Sequence, residues 1–220
     1  MRFLILIMLT LFTLSATAYV VPTYRDIKPA SQAMLEYQRV LAPVVAATNH
    51  VLTTNAGPTS AATVVVSAFT AQPDVARLIS ITPTGTTTDV ESCAVVIVGQ
   101  NILNKALTDT LTFAANASTA QTSIKAFKSI SSITWPASCE SGGFAASWIV
   151  GVTDALGLKR CMKQAGDVAW TVFDSVFEAT RATCISNASD VSKNTCDPNG
   201  TLNGAKNVDF YFVQNFACLP

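Results

Sequence analysis

The side chains able to do chemistry are few. Two carboxylates flanking a scissile bond can hydrolyse a glycoside without any histidine. The body of the chain offers Asp74, Asp89, Glu91, Asp109, Glu140, Asp154, Asp167, Asp174, Glu178, Asp190, Asp197 and Asp209. No two of them stand out by spacing. Most fall at turns or on the polar side of a strand pattern, where a carboxylate is simply solvated. His50 is the single histidine, and it stands in a loop-like stretch before the strand-rich region. A serine or cysteine nucleophile therefore has no base at hand, and no Gly-x-Ser-x-Gly elbow occurs. The reading is of no catalytic residue and no enzyme.

Metal and cofactor chemistry fare no better. Asp197-Pro198-Asn199-Gly200 clusters oxygens that would suit calcium. Its spacing is not that of an EF-hand, and the same residues make a tight turn in which Asn and Gly supply positive φ. No Cys-x-x-Cys pair marks a zinc site. Gly142-Gly143 stands alone and reads as a loop, not a phosphate cradle. Lys125 and Lys128 lie three apart in one expected strand, on opposite faces unless a bulge intervenes. No anion pocket or nucleic-acid stripe follows. The expectation is no metal, no cofactor and no nucleic acid.

What the chain does carry is the equipment of an exported protein. Six cysteines, Cys93, Cys139, Cys161, Cys184, Cys196 and Cys218, follow a segment, MRFLILIMLTLFTLSATA, with a basic start, an apolar run and small residues at its end. That is the pattern of a secretory leader over residues 1–18, with no membrane association after its removal. An even cysteine count in that context favours disulfides. Cys184 and Cys196 flank a polar segment that places them on adjacent strands, so they are expected to pair. Cys93 with Cys139 and Cys161 with Cys218 complete the set. Asn116-Ala-Ser, Asn187-Ala-Ser and Asn199-Gly-Thr are glycosylation sequons in a eukaryotic secretory host.

These groups must be positioned by a sheet-forming chain. Half of the 220 residues are hydrophobic and 13% are charged, with 14 basic and 14 acidic side chains. Such a chain buries a large core and presents no charge excess to a polyanion. Residues 19–60 read as an extended arm, a short helix and a linker. In SQAMLEYQRVLAPVV, Ser31 is an N-cap, Met34, Leu35, Leu41 and Val44 a helical face, and Pro43 the stop. Residues 48–61 read as a loop.

From Thr63 the pattern changes to short runs of Val, Ile, Thr and aromatics: TVVVSAF, ARLISITP, AVVIVGQNI, LTDTLTF, TSIKAFKSISSITW and SWIVGV. LGLKRCM, AWTVFDSVFEAT and NVDFYFVQNFACL follow. Spacing of this kind predicts a mainly β domain over 61–220, an antiparallel β-sandwich or barrel. In the run from Leu107 to Phe113, Leu107, Leu111 and Phe113 share one face, with Thr110 and Thr112 on the other. Ala114–Gln121 reads as a hairpin tip carrying Asn116. In the next run the three-residue step from Ile124 to Phe127, ahead of Ile130 and Ile133, predicts a bulge or face switch near Ala126. Trp170, Phe173, Phe177, Phe210 and Phe212 are expected to fill the core.

Several of these runs also resemble a known family. ISITPTGTTTDVESCAVVIVGQNILNKALTDTLTFAANASTAQTSIKAFKSISSITWP, the element Val150-Gly151-Val152-Thr153-Asp154-Ala155-Leu156-Gly157-Leu158 and the ending DPNGTLNGAKNVDFYFVQNFACLP are similar to segments of tailed-bacteriophage virion structural proteins. The resemblance spans residues 62–220 and is to β-sandwich, jelly-roll-like capsid decoration or cement proteins. It implies a non-enzymatic subunit on the capsid surface. The implied partners are the major capsid protein and further copies of the chain, as a homotrimer or another homo-oligomer. The leader and the cysteines depart from that pattern, since phage heads assemble in a reducing cytoplasm. The alternative expectation is an exported, disulfide-bonded adhesin or carbohydrate-binding module, secreted or at the cell surface.

Overall fold

The structure, a computed structural model, describes residues 35–57, 62–140 and 146–213. The expected leader, the arm that follows it, Gly142-Gly143 and Cys218 lie outside the described residues. In chain order the strands are β1 (Leu35–Val40), β2 (Ala47–Ala56), β3 (Val64–Val66), β4 (Arg77–Thr84), β5 (Cys93–Gln100), β6 (Ala106–Phe113) and β7 (Gln121–Phe127). They continue as β8 (Ser129–Trp135), β9 (Ser147–Gly157), β10 (Val168–Phe173), β11 (Val176–Phe177), β12 (Thr183–Ile185), β13 (Thr195–Asp197) and β14 (Val208–Val213). Every pairing between them is antiparallel.

Three sheets result. The first runs β1-β14-β10-β11. The second runs β12-β13-β9-β4-β7, with β2 also on β9. The third runs β3-β8-β5-β6. Buried residues of the second and third sheets share one apolar cluster, in which Trp135, Trp148, Phe113 and Phe127 are fully buried. A second cluster joins the first sheet to the far end of the second through Val208, Phe210, Leu156 and Leu158.

β9 serves both clusters. Trp148, Val150 and Val152 enter the first, and Leu156 the second. One edge of β9 pairs with β4. Along the other edge β2 covers Ser147–Val152 and β13 covers Leu156–Gly157, so Thr153–Ala155 form a gap between two partners. Gly151 permits the arrangement, because a Cβ there would stand 2.0 Å from the Ala47 carbonyl oxygen. Beneath the gap lies Arg77, whose side chain is 0% exposed. It meets Asp74 at 3.0 Å and donates to the carbonyls of Thr153 and Val44. Burial lowers its pKa, and the charges of Asp74 and Asp154 oppose that shift.

Two N-terminal expectations are corrected. Leu35–Val40, expected inside a helix, is strand β1, and among the described residues only three-residue 3₁₀ turns are helical. The ladder with β14 overrides the helical spacing. As a strand, the segment buries Gln38 and Val40 and turns Tyr37 and Arg39 outward. The loop expected over 48–61 likewise contains most of β2, which buries Val51 and Leu52 against the first core.

The runs from Val64 onward form strands, with four differences. TSIKAFKSISSITW is two strands in two sheets: β7 pairs with β4, and β8 with β5 and β3. The predicted irregularity is present, because Leu78 pairs with Ala126 while Ser80 pairs with Thr122. Ile124 projects outward on that bulge and is 62% exposed, not apolar filling. Ala114–Gln121 is no hairpin tip: β6 pairs only with β5, so the segment carries the chain from the third sheet to the second. LGLKRCM is not a strand of its own; β9 ends at Gly157 and Lys159–Met162 are irregular.

Cys93–Cys139 and Cys184–Cys196 are disulfides, as expected. Cys161 is also disulfide-bonded; its expected partner, Cys218, lies outside the described residues. These bonds point to an oxidising, extracellular environment.

Candidate interaction surface

The first sheet has one face on the second core and the other turned outward. Aromatic side chains cross that outer face strand by strand. Tyr37 on β1 stands opposite Tyr211 on β14, with ring centroids 5.8 Å apart and planes at 26°. Tyr211 stands opposite Trp170 on β10, at 5.5 Å and 28°. Trp170 meets Phe177 on β11 edge to face at 6.5 Å. The row spans all four strands, and Tyr37 and Phe177 at its ends are 58% and 50% exposed.

Local backbone irregularities build the row. A register shift between Val168 and Trp170 turns Trp170 to the outer face while Val168 stays in the core. Asp174 and Ser175, at φ 52° and 67°, reverse the chain in a two-residue turn and return Phe177 beside Trp170. The row is flanked by a bidentate pair in which Arg39 donates to Asp209 at 2.7 and 2.8 Å. The Asp209 hydrogen bond, and then its charge, hold the Arg39 guanidinium above its already high ordinary pKa. Asp209 is buried, Arg39 half exposed.

The chemistry this surface offers is apolar contact. Each aromatic pair contributes about 0.5–1.5 kcal/mol beyond its buried area. Near-parallel rings at stacking distance turn much of their faces onto one another. Ring edges and the outer faces of Tyr37 and Phe177 remain for a partner.

The carboxylates are mostly spent as acceptors. Asp167 takes the Lys163 N–H at 2.8 Å, Asp190 the Ser192 N–H at 3.0 Å, and Asp109 those of Thr110, Ile124 and Lys125. Asp74 pairs with Arg77, and Lys206 reaches Asp174 at 3.5 Å. Glu140 is buried beside the Cys93–Cys139 disulfide. Asp154 and Asp197 share a groove, about 450 Å³ in volume, at the β9 gap with Ser80 and Thr122. Burial, then the Asp154 charge, pushes the Asp197 carboxyl up. Burial also raises Glu178, against the lowering effect of N–H donation from Gly200 and Asn199. Among the described residues no three His, Cys, Asp or Glu side chains gather into a metal-holding group.

The remaining predicted residues are dispersed. His50 lies on β2 with Nε2 3.1 Å from the Gln72 carbonyl. Lys125 donates to the Thr108 carbonyl and Lys128 to the Asn104 side chain. Asn116 and Asn199 are exposed, whereas Asn187 is half-buried and accepts from Ser189 and Asp190. In Asp197–Gly200 neither Asn199 nor Gly200 has the expected positive φ. Gly200 is instead required by closeness to the Phe173 ring, 2.7 Å from where a Cβ would be.

The expectation that Trp170 and Phe177 fill the core is corrected. Phe210 and Phe212 do so, with Phe173 packed against them, while Trp170 and Phe177 belong to the outer row. The alternation of Phe210-Tyr211-Phe212 carried a signal for this, since an amphipathic ring sits between two apolar ones.

Comparison with known protein families, curated proteins and solved structures finds no match to this chain.

Proposed function

We propose that the chain is a non-enzymatic virion structural subunit, a capsid decoration or cement protein that stabilises the particle surface. The aromatic row across the first sheet carries this reading. It is an ordered apolar strip on the outer face of a sheet, the kind of feature by which a stiff β block adheres to another protein. We read the second and third sheets as the two faces of a jelly-roll-like sandwich that supplies the stiffness. The major capsid protein is the proposed partner, with further copies of the chain as a homo-oligomer. The resemblance of residues 62–220 to decoration proteins supports the same assignment.

Mass spectrometry of purified particles tests it. The chain is expected in virions, and Tyr37→Ser with Trp170→Ser is expected to lower its occupancy on them. Its absence from particles sinks the proposal.

The disulfides favour a second reading, an exported adhesin or carbohydrate-binding module. A native N-terminus near Tyr19 together with cell-surface labelling would support it. Failure to bind any sugar on a glycan array would count against the carbohydrate form.

A further inference from the structure

The two disulfides whose partners are both described differ in what surrounds them. Cys93 and Cys139 are 6% and 0% exposed and belong to the first core. Cys184 is half-buried on β12, between exposed Thr183 and Ile185. Among the described residues β12 is an edge strand of three residues that pairs only with β13. Its backbone gains little from three residues of ladder, against an ordering cost of about 1–2 kcal/mol per residue. Cys184 and Ala182 rest partly buried against the second core, and the bond to Cys196 is the covalent tie between β12 and β13.

Neighbouring structure does not need that tie. β13 is held from the other side by β9. The connection between the two cysteines has its own anchor in buried Asn194. Its Oδ1 accepts the N–H groups of Met162 and Asn187, and its Nδ2 donates to the carbonyls of Asn187 and Asp190. The cysteines stand opposite each other in register, Cα to Cα 4.1 Å, so redocking of β12 on β13 returns them to bonding distance.

We propose that Cys184–Cys196 is a redox latch: an external dithiol opens it while Cys93–Cys139 stays closed, and opening undocks β12 and bares the edge of β13. A thiolate of the dithiol attacks Sγ of Cys184, the cysteine of the pair that is not fully buried, and Cys196 leaves as a thiolate. The second thiol of the reagent then displaces Cys184. The reagent ends as its own disulfide, and two electrons and two protons have passed to the two cysteines. In a reducing environment the β13 edge is open; in an oxidising one it is closed. The inference holds for either functional reading above.

The test uses the full-length oxidised chain titrated with dithiothreitol. Free thiols are alkylated and mapped by peptide mass spectrometry, with hydrogen exchange followed in parallel. At each dithiol concentration Cys184 and Cys196 are expected to label about tenfold faster than Cys93 and Cys139, following the accessibility of the attacked sulfur. Amide protection should fall over Thr183–Ile185 and Thr195–Asp197 and persist over Cys93–Gln100. Simultaneous reduction of both disulfides overturns the proposal, as does prior reduction of Cys93–Cys139 or labelling of Cys184 with β12 protection unchanged. The double variant Cys184→Ser, Cys196→Ser should show the undocked pattern without reductant. A globally unfolded double variant also overturns it.

Discussion

Asp109 Oδ2 accepts the backbone N–H of Ile124 at 2.8 Å, across a seam between two sheets that share no ladder there. The same oxygen takes the Lys125 N–H at 3.1 Å, and Oδ1 takes that of Thr110 at 3.0 Å. Lys125 returns the contact by donating to the Thr108 carbonyl. One buried carboxylate thus satisfies the donors that the β7 bulge leaves over. It also blocks the edge of β6 against pairing with another chain.

Asp109→Asn presents one carbonyl oxygen where a carboxylate offered two. Charge-assisted bonds to otherwise unpaired N–H groups are lost, and roughly 2–3 kcal/mol of stability should go with them. Urea denaturation measures this. A loss under about 0.5 kcal/mol would mean that water replaces the carboxylate at no cost.

Gly151→Ala puts a methyl group 2.0 Å from the Ala47 carbonyl oxygen. Backbone stands on both sides, so neither yields cheaply, and the cost should be about 3 kcal/mol or more. Gly166→Ala is the control. Its Cβ would come no nearer than 3.8 Å to the Gln164 amide nitrogen, and a change within about 0.5 kcal/mol is expected. Equal thermal stabilities for the two variants would contradict the crossing of β2 over β9.

Ser175 holds φ 67° in the two-residue turn between β10 and β11. Ser175→Gly removes the left-handed strain and keeps the Lys206–Asp174 contact. The gain should be about 0.5–1 kcal/mol, or a few degrees in Tm. A lower Tm would show that the serine side chain contributes something that the turn geometry does not explain.

Asp197 and Glu178 are both held above their ordinary pKa values, chiefly by burial. Raised carboxyls keep their protons to higher pH in the folded state than in the unfolded chain. The stability they contribute is present below the ordinary carboxylate range, near pH 4, and is lost as pH rises through the folded values. Asp197→Asn resembles the protonated form at every pH. Its stability relative to the natural chain should therefore rise from acid toward pH 6, as urea midpoints measured at several pH values will report. A difference that is flat or falls with pH would contradict the partial desolvation of Asp197 beside Asp154.

Much of the strand pattern could be read directly from local residues. In β6 the alternation of Leu107, Leu111 and Phe113 with threonines dictates a two-faced strand whatever its partner. The spacing of Cys184 and Cys196 around a polar loop marked two adjacent strands. The uneven step from Ile124 to Phe127 announced a bulge, because a period of two cannot absorb three residues without one.

Other features depend on partners far along the chain. Leu35–Val40 has helical spacing and becomes a strand because β14, some 170 residues later, offers it a ladder. Lys128 hides a change of sheet inside one unbroken run, since both halves have the same composition. Asp109 gave no sign of being buried, because its partners are backbone groups that exist only at the bulge. The aromatic row is decided the same way: Trp170 faces outward because a register shift turns it there, and Tyr37 and Tyr211 meet because β1 and β14 pair in one register. Composition and period determined by themselves that this chain builds sheets. Which side chains face a partner was left to register and bulges, because a one-residue shift in a ladder reverses every face.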